Sequence, residues 1–285
     1  MSTYSDSSVD ERIGWLLDGD AAIRWQVMQD LLELPGDDVA VERARVAREG
    51  WGAELLGHQD HDGRWAGALY SPKWTSTTYT LLLLARLGLD ADHSAARAGV
   101  DELWAGAKRY DGGLTLAKTV REPETCITGM LVYLAHRFSI DRRFGDEVDA
   151  SLRWLLDEQL PDGGWNCDTV RTGSVHGSFH TSITVLEALR EHERSGGARD
   201  ETTRALEAGR EFFLDHQLYR SHRTGEVFVP VFRRFPFPPQ WHFVVLRGLE
   251  HFADVRAPHD ARLASGIDVI RAAQRADGAW PTYAR

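Results

Sequence analysis

The side chains best suited to chemistry crowd into one stretch, Pro161 to Leu189, which reads PDGGWNCDTVRTGSVHGSFHTSITVLEAL. Cys167, Asp168, His176 and His180 bring a thiol, a carboxylate and two imidazoles together. Such a set can ligate a metal ion, and Cys167 with Asp168 and His176 can also supply a nucleophile and its acid–base partners. One repeat upstream, Glu124-Thr125-Cys126 offers a second carboxylate and the other of the two cysteines. A further cluster runs from Tyr219 to Glu226 and continues through Arg233-Arg234 to Pro236-Phe237-Pro238-Pro239-Gln240-Trp241-His242. Arg220 and Arg223 suit bidentate recognition of phosphate or carboxylate. Trp241 and Phe237, with His242 beside them, could line an apolar substrate cavity. A solvated loop braced by salt bridges to acidic helices is the equally weighted alternative.

The elements that must carry these residues repeat. Gln59-x-x-Asp62-Gly63-x-Trp65, Gln159-x-x-Asp162-Gly163-Gly164-Trp165 and Gln274-x-x-Asp277-Gly278-x-Trp280 each close a charged, amphipathic helical pattern. Gly112-Gly113-Leu114 and the longer Gln217…Gly225-Glu226-Val227-Phe228 fall at the same point of the cycle. Positions 65, 114, 165, 228 and 280 are separated by 49, 51, 63 and 52 residues. A period near 50 with two helices per unit is the pattern of a helical repeat protein.

The outer helices are expected to start near Ser94 and to cover 145–158, 201–216 and 261–273. Between the endings lie patterns that are apolar over most of their circumference: 75–87, 124–138, 180–193 and 240–252. Helices of that kind are buried, so they form an inner ring and the amphipathic helices an outer one. The reading is all-α, an α/α toroid of about five two-helix repeats, forming a single domain over 1–285 with residues 1–8 as a tail. Ahead of the repeats, helices are expected over 10–18, 20–34 and 38–58.

Bulk properties narrow the function. A net charge of −10 argues against non-specific binding of nucleic acid or anionic membrane. The longest strictly apolar run, Leu81 to Ala85, is far too short to span a bilayer. The first residues lack the basic start and apolar core of a signal peptide, and two cysteines do not make a disulfide scaffold. A cytoplasmic protein with reduced thiols is expected.

The Gln-x-x-Asp-Gly-x-Trp endings resemble the repeat motifs of squalene and terpenoid cyclases, whose toroid is shared by the β subunits of protein prenyltransferases. The resemblance covers roughly residues 50–281. The Asp-x-Asp-Asp acid of proton-initiated cyclases is absent, and Asp37-Asp38-Val39-Ala40-Val41 does not match the Asp-Asp-x-x-Asp of metal-dependent terpene synthases. The prenyltransferase pattern fits more closely. There an acid-x-Cys opens one inner helix, a His-Thr opens the next, and together they bind zinc. Glu124, Cys126 and His180-Thr181 stand at those places, each after a Gly-Gly turn, and Cys167 could close the fourth position. The resemblance also implies a diphosphate clamp from the basic residues six and three positions before the acid, here Lys118 and Arg121. It departs in having Glu for Asp, and Ile127 where a Tyr is usual. The implied function is an enzyme acting on an isoprenoid, a prenyl diphosphate, with zinc at Glu124, Cys126, His180 and Cys167. The alternative is a non-catalytic toroid that binds a lipid or a protein partner, with a structural metal or none.

Overall fold

A computed structural model describes residues 6–140 and 144–282. It is mostly helical and divides into two compact units, one up to Ala105 and one from Gly106 onward. Of the expected tail, residues 1–5 lie outside the described residues, and Asp6 already belongs to a helix.

The first unit comprises α1 (Asp6–Leu17), α2 (Ala21–Asp30), α3 (Gly36–Arg43), α4 (Gly50–Gly57), α5 (Thr77–Leu87) and α6 (Ser94–Gly106). Asp20 caps α2 by accepting the Ala22 N–H at 2.8 Å, as a carboxylate does for an orphan first-turn donor. The single helix expected over 38–58 is instead broken. A 3₁₀ turn covers Ala44–Ala47, Glu49 is extended, and Gly50 takes a left-handed φ of +63°, so α4 sets off in a new direction. Ala21, Ala22, Val46 and Leu87 form a small core, with Trp25 packed on it and its Nε1–H donated to the Leu87 carbonyl at 2.8 Å.

The second unit opens with a hairpin, β1 (Lys108–Tyr110) and β2 (Gly113–Thr115), joined through Asp111 and Gly112 at φ +50° and +96°. Two consecutive positive φ values are what a tight primed hairpin turn needs, and Asp-Gly supplies them. Strands of three residues are too short to alternate visibly, so the sequence pattern did not give them away. Then come α7 (Thr125–Arg137), α8 (Gly145–Asp157), a one-turn α9 (Asp168–Thr172), α10 (Phe179–His192), α11 (Asp200–Asp215), α12 (Val245–Asp254) and α13 (Ala264–Ala273).

The expected contrast between buried and amphipathic helices is seen for α7 and α10 against α8 and α11. Nearly every residue of α7 and α10 is buried, and the two helices pack against each other closely at Gly129, where an added Cβ would sit 3.4 Å from Thr184 and Val185. In α8 and α11 the buried residues form one stripe: Val148, Ser151, Leu152 and Leu155, then Thr202, Ala205, Leu206, Gly209, Phe212 and Phe213. The helix expected over 240–252 starts five residues later, at Val245. It buries the charged Arg247 and His251 rather than an all-apolar surface.

The repeat motif has a fixed atomic structure. The Gln59 amide donates to the carbonyls of Gly63 and Ala95, both at 2.8 Å, and Gln159 repeats this on Gly163 and Ala205. The indole N–H of Trp65, Trp165 and Trp280 each reaches a carbonyl ten residues earlier at 2.7 Å, on Leu55, Leu155 and Ile270. The motif therefore ties a helix end to its own turn and, after α4 and α8, to the later helices α6 and α11. Gly163 sits at φ +85°, where a Cβ would come within 2.2 Å of the Ala208 carbonyl oxygen, so glycine is required there.

Candidate functional site

In the second unit, the loop after Trp165 is held to the start of α10 by a chain of short bonds. Trp165 is fully buried. Its backbone N–H donates to Ser182 Oγ at 2.8 Å, and its carbonyl accepts from Ser178 N–H at 2.7 Å. Asn166 then closes the loop on itself, donating to His176 O at 2.8 Å and accepting from Asp168 N–H at 3.0 Å. Asp162 accepts from Gly177 N–H at 2.8 Å. Gly164 and Gly177 approach so closely that a Cβ on either would lie 2.8 Å from the other's Cα. Cys167 is thus fixed in place by its neighbours rather than carried on a mobile tip.

What Cys167 meets is the first turn of α7. Its Sγ accepts the backbone N–H of Cys126 at 3.1 Å and faces the Thr181 hydroxyl at 3.5 Å. The Cys126 thiol also donates to it, and this bond is the largest cause of a lowered Cys167 pKa, assisted by Thr181 and the Cys126 N–H against burial and the charge of Glu124. The same contact pushes the Cys126 thiol well up, together with burial and the nearby negative charge. The pair therefore ionises first at Cys167. A thiolate at the orphan N–H groups of a helix start has the environment of a nucleophile or metal ligand. Both cysteines are unbridged and half-buried.

The remaining expected residues fall as follows. Glu124 precedes α7, and its Oε2 accepts from the Thr115 hydroxyl at 2.6 Å. His180 is held by the connection that leads to α12. Its Nδ1 accepts the Phe243 N–H at 2.7 Å, and its ring lies edge-on to Phe232, Trp241 and His242. With Nδ1 accepting, the neutral ring carries its proton on Nε2. A zinc-bound imidazole usually does the reverse, ligating through one nitrogen and donating from the other. Among the described residues no group of three or more His, Cys, Asp or Glu side chains is gathered for a metal.

His176 and Asp168 are exposed. His176 Nδ1 lies 3.9 Å from Asp162, and Asp168 lies 3.7 Å from Arg171. Lys118, Arg121 and Arg223 are exposed as well. Trp241 and His242 stack on each other at 3.9 Å between centroids. Arg220 lines a groove beside α13.

Sequence reasoning missed Asn166, Phe243 and a recurring hydroxyl, and named Thr181 only as part of the His180-Thr181 motif. Thr77 accepts from Trp65 N–H, Thr128 from Leu114 N–H, and Ser182 from Trp165 N–H, at 3.0, 2.8 and 2.8 Å. The signal was a Ser or Thr in the first turn of α5, α7 and α10. Loops of different length hide it when repeats are counted from the tryptophan. Counted from this hydroxyl, Cys126 and His180 stand at the same register, each two residues before it.

No family model matches the chain, and no curated protein matches it.

Proposed function

We propose that the chain is an α/α toroid of the terpenoid-cyclase and prenyltransferase kind that acts on an isoprenoid, in the first place a prenyl diphosphate, at a centre built on Cys167. The observation that supports this reading is the meeting of Cys126 and Cys167 at the start of a buried helix, with the sulfur of Cys167 surrounded by donors. Held this way the thiolate can attack an electrophilic carbon or ligate a metal. Cys126 keeps its proton and holds the charge on Cys167, and Thr181 fixes the orientation of the sulfur. Lys118 and Arg121, on the exposed connection leading to α7, would meet the diphosphate.

Zinc would be held by Cys126 and Cys167, with Glu124 nearest in sequence. His180 would join only by giving up the Phe243 hydrogen bond. When bound, zinc would lower the thiol pKa values and polarise the substrate.

The second reading, a non-catalytic toroid that binds a lipid or a protein, is favoured by one observation. Phe179, Phe212, Phe213, Phe228, Phe232 and Phe243 pack ring on ring beside His180, filling space that a substrate would need. Calorimetry with farnesyl diphosphate, with and without zinc, separates the two. The enzyme reading expects saturable binding that the Cys167→Ala variant weakens, and metal analysis should show zinc retained by the wild type and lost in that variant. Absence of both binding and zinc leaves the binding-module reading.

A further inference from the structure

The connection between α11 and α12 folds back on itself before it reaches His180. Phe228 N–H donates to the Tyr219 carbonyl at 2.9 Å and Ser221 N–H to the Glu226 carbonyl at 2.8 Å, and a 3₁₀ turn at Pro230–Arg233 follows. Against α13 this leaves a groove of about 550 Å³, lined among others by Tyr219, Arg220, Arg233, Arg234 and Asp268. That volume is in the range of small-molecule sites.

Arg220 is built into the wall. Its Nε donates to Ser265 Oγ at 3.1 Å, one terminal nitrogen to the Gly225 carbonyl at 2.8 Å, and the other to the Tyr219 hydroxyl at 2.9 Å. Tyr219 in turn bonds Ser265 at 3.0 Å, and its ring lies 4.8 Å from the guanidinium carbon. Tyr219 is buried, with 4% of its surface exposed. Among the described residues every one of these partners is neutral, so the charge of Arg220 is oriented but not cancelled. Arg262, on the neighbouring turn, shows the contrast, with three carboxylates around it: Asp260, Glu211 and Asp215.

Arg220, Arg233 and Arg234 all line this groove, and the carboxylate among its lining residues, Asp268, is paired with Arg271 at 3.7 Å. In a chain of net charge −10 such a concentration of positive charge runs against the composition. A guanidinium has five N–H donors, and the contacts above occupy three. The two left on the terminal nitrogens match the paired oxygens of a phosphate. The rest of the wall is apolar, from Pro230, Val269, Ala272 and Ala273.

We propose that this groove binds the phosphate or diphosphate group of an organic anion, with Arg220, Arg233 and Arg234 on the phosphate and the alkyl part against α13. The site does not depend on the thiol pair or on the identity of the hydrocarbon, so it stands or falls separately from the function proposed above.

The test is calorimetry of the full chain with inorganic phosphate, inorganic pyrophosphate and hexyl phosphate. Saturable binding of pyrophosphate is expected, weakening as salt rises. Loss of a charged hydrogen-bond partner in Arg233→Ser or Arg234→Ser should cost at least about tenfold in affinity. Both residues are exposed, so an unchanged melting temperature will show that these variants fold. Hexyl phosphate should bind more tightly than inorganic phosphate. No saturable pyrophosphate binding, or affinities unmoved by Arg233→Ser and Arg234→Ser together, overturns the site. Equal affinity for hexyl phosphate and inorganic phosphate would overturn the alkyl contact.

Discussion

Replacing Cys126 with alanine should make Cys167 harder to ionise. The substitution removes the thiol donor that contributes most to the lowered Cys167 pKa, and leaves the Cys126 backbone N–H and the Thr181 hydroxyl in place. A hydrogen bond to a charged group contributes about 1.5–3 kcal/mol, so its loss raises the Cys167 pKa. Below the pKa the thiolate fraction then falls about 10- to 100-fold. A more basic thiolate is also a better nucleophile, with a Brønsted slope of about 0.4–0.5, and this returns roughly 3- to 8-fold. Alkylation by iodoacetamide at a pH below the wild-type midpoint should therefore slow about 4- to 12-fold, with the midpoint of the pH–rate profile moved upward. The variant has a single thiol, so the profile is unambiguous. In the complementary Cys167→Ala protein, Cys126 should react slowly, because burial and Glu124 still raise its pKa. A midpoint for Cys126→Ala equal to or below that of the wild type would refute the donor role of Cys126.

Two further outcomes concern the inner helix that carries buried charge. Arg247 and Glu187 pair at 2.6 Å with side chains only 5% and 14% exposed, so Arg247→Met should cost about 3–5 kcal/mol in denaturant unfolding by stranding Glu187, while Arg247→Met with Glu187→Leu should recover most of it. His251 is buried, and burial followed by the charges of Arg190 and Arg210 pushes its pKa from 6.5 down to about 3. The folded state then binds fewer protons than the unfolded one between those values, so stability is full above about pH 6.5 and falls with acid by up to about 1.4 kcal/mol per pH unit. Unfolding free energies at pH 7 and pH 5 should show this slope in the wild type and a flatter one in His251→Gln.

The helices of the second unit were legible because their signals are local. The apolar circumference of 124–138 and 180–193 marks burial, and the Asp-Gly turn marks an outer helix end. Both follow from nearest-neighbour chemistry. The break at Ala44–Gly50 was not legible, since residues 38–58 keep a helical pattern through it and only the backbone of Glu49 and Gly50 interrupts it. Buried charge in α12 was missed for a related reason. Arg247 reads as a surface residue until Glu187, 60 positions earlier, is known to face it. At the candidate site, Cys126 and Cys167 were expected together and are together. His180 was placed correctly at a helix start, but its partner Phe243 lies 63 residues on, in an insertion with no periodicity to read.

That last difference reflects how the repeat builds its sites. Cys126 and His180 hold the same register, two residues ahead of the hydroxyl that clamps the repeat turn, so their backbones are equivalent. Their contacts are not, because the start of α7 is met by the connection leading into α10 and the start of α10 by the connection leading into α12. For α7 that connection is the loop 166–178, tied down by Trp165 and Asn166, and it delivers a sulfur to the Cys126 N–H. For α10 it is the insertion 219–244, which delivers the Phe243 N–H together with the rings of Phe232 and Trp241. The helices supply a repeated position with free backbone donors, and the next loop decides whether it becomes polar and reactive or packed and inert. Chemistry in this unit is therefore written in pairs of segments one repeat apart, and a residue at a helix start acquires a role only through the loop that reaches it.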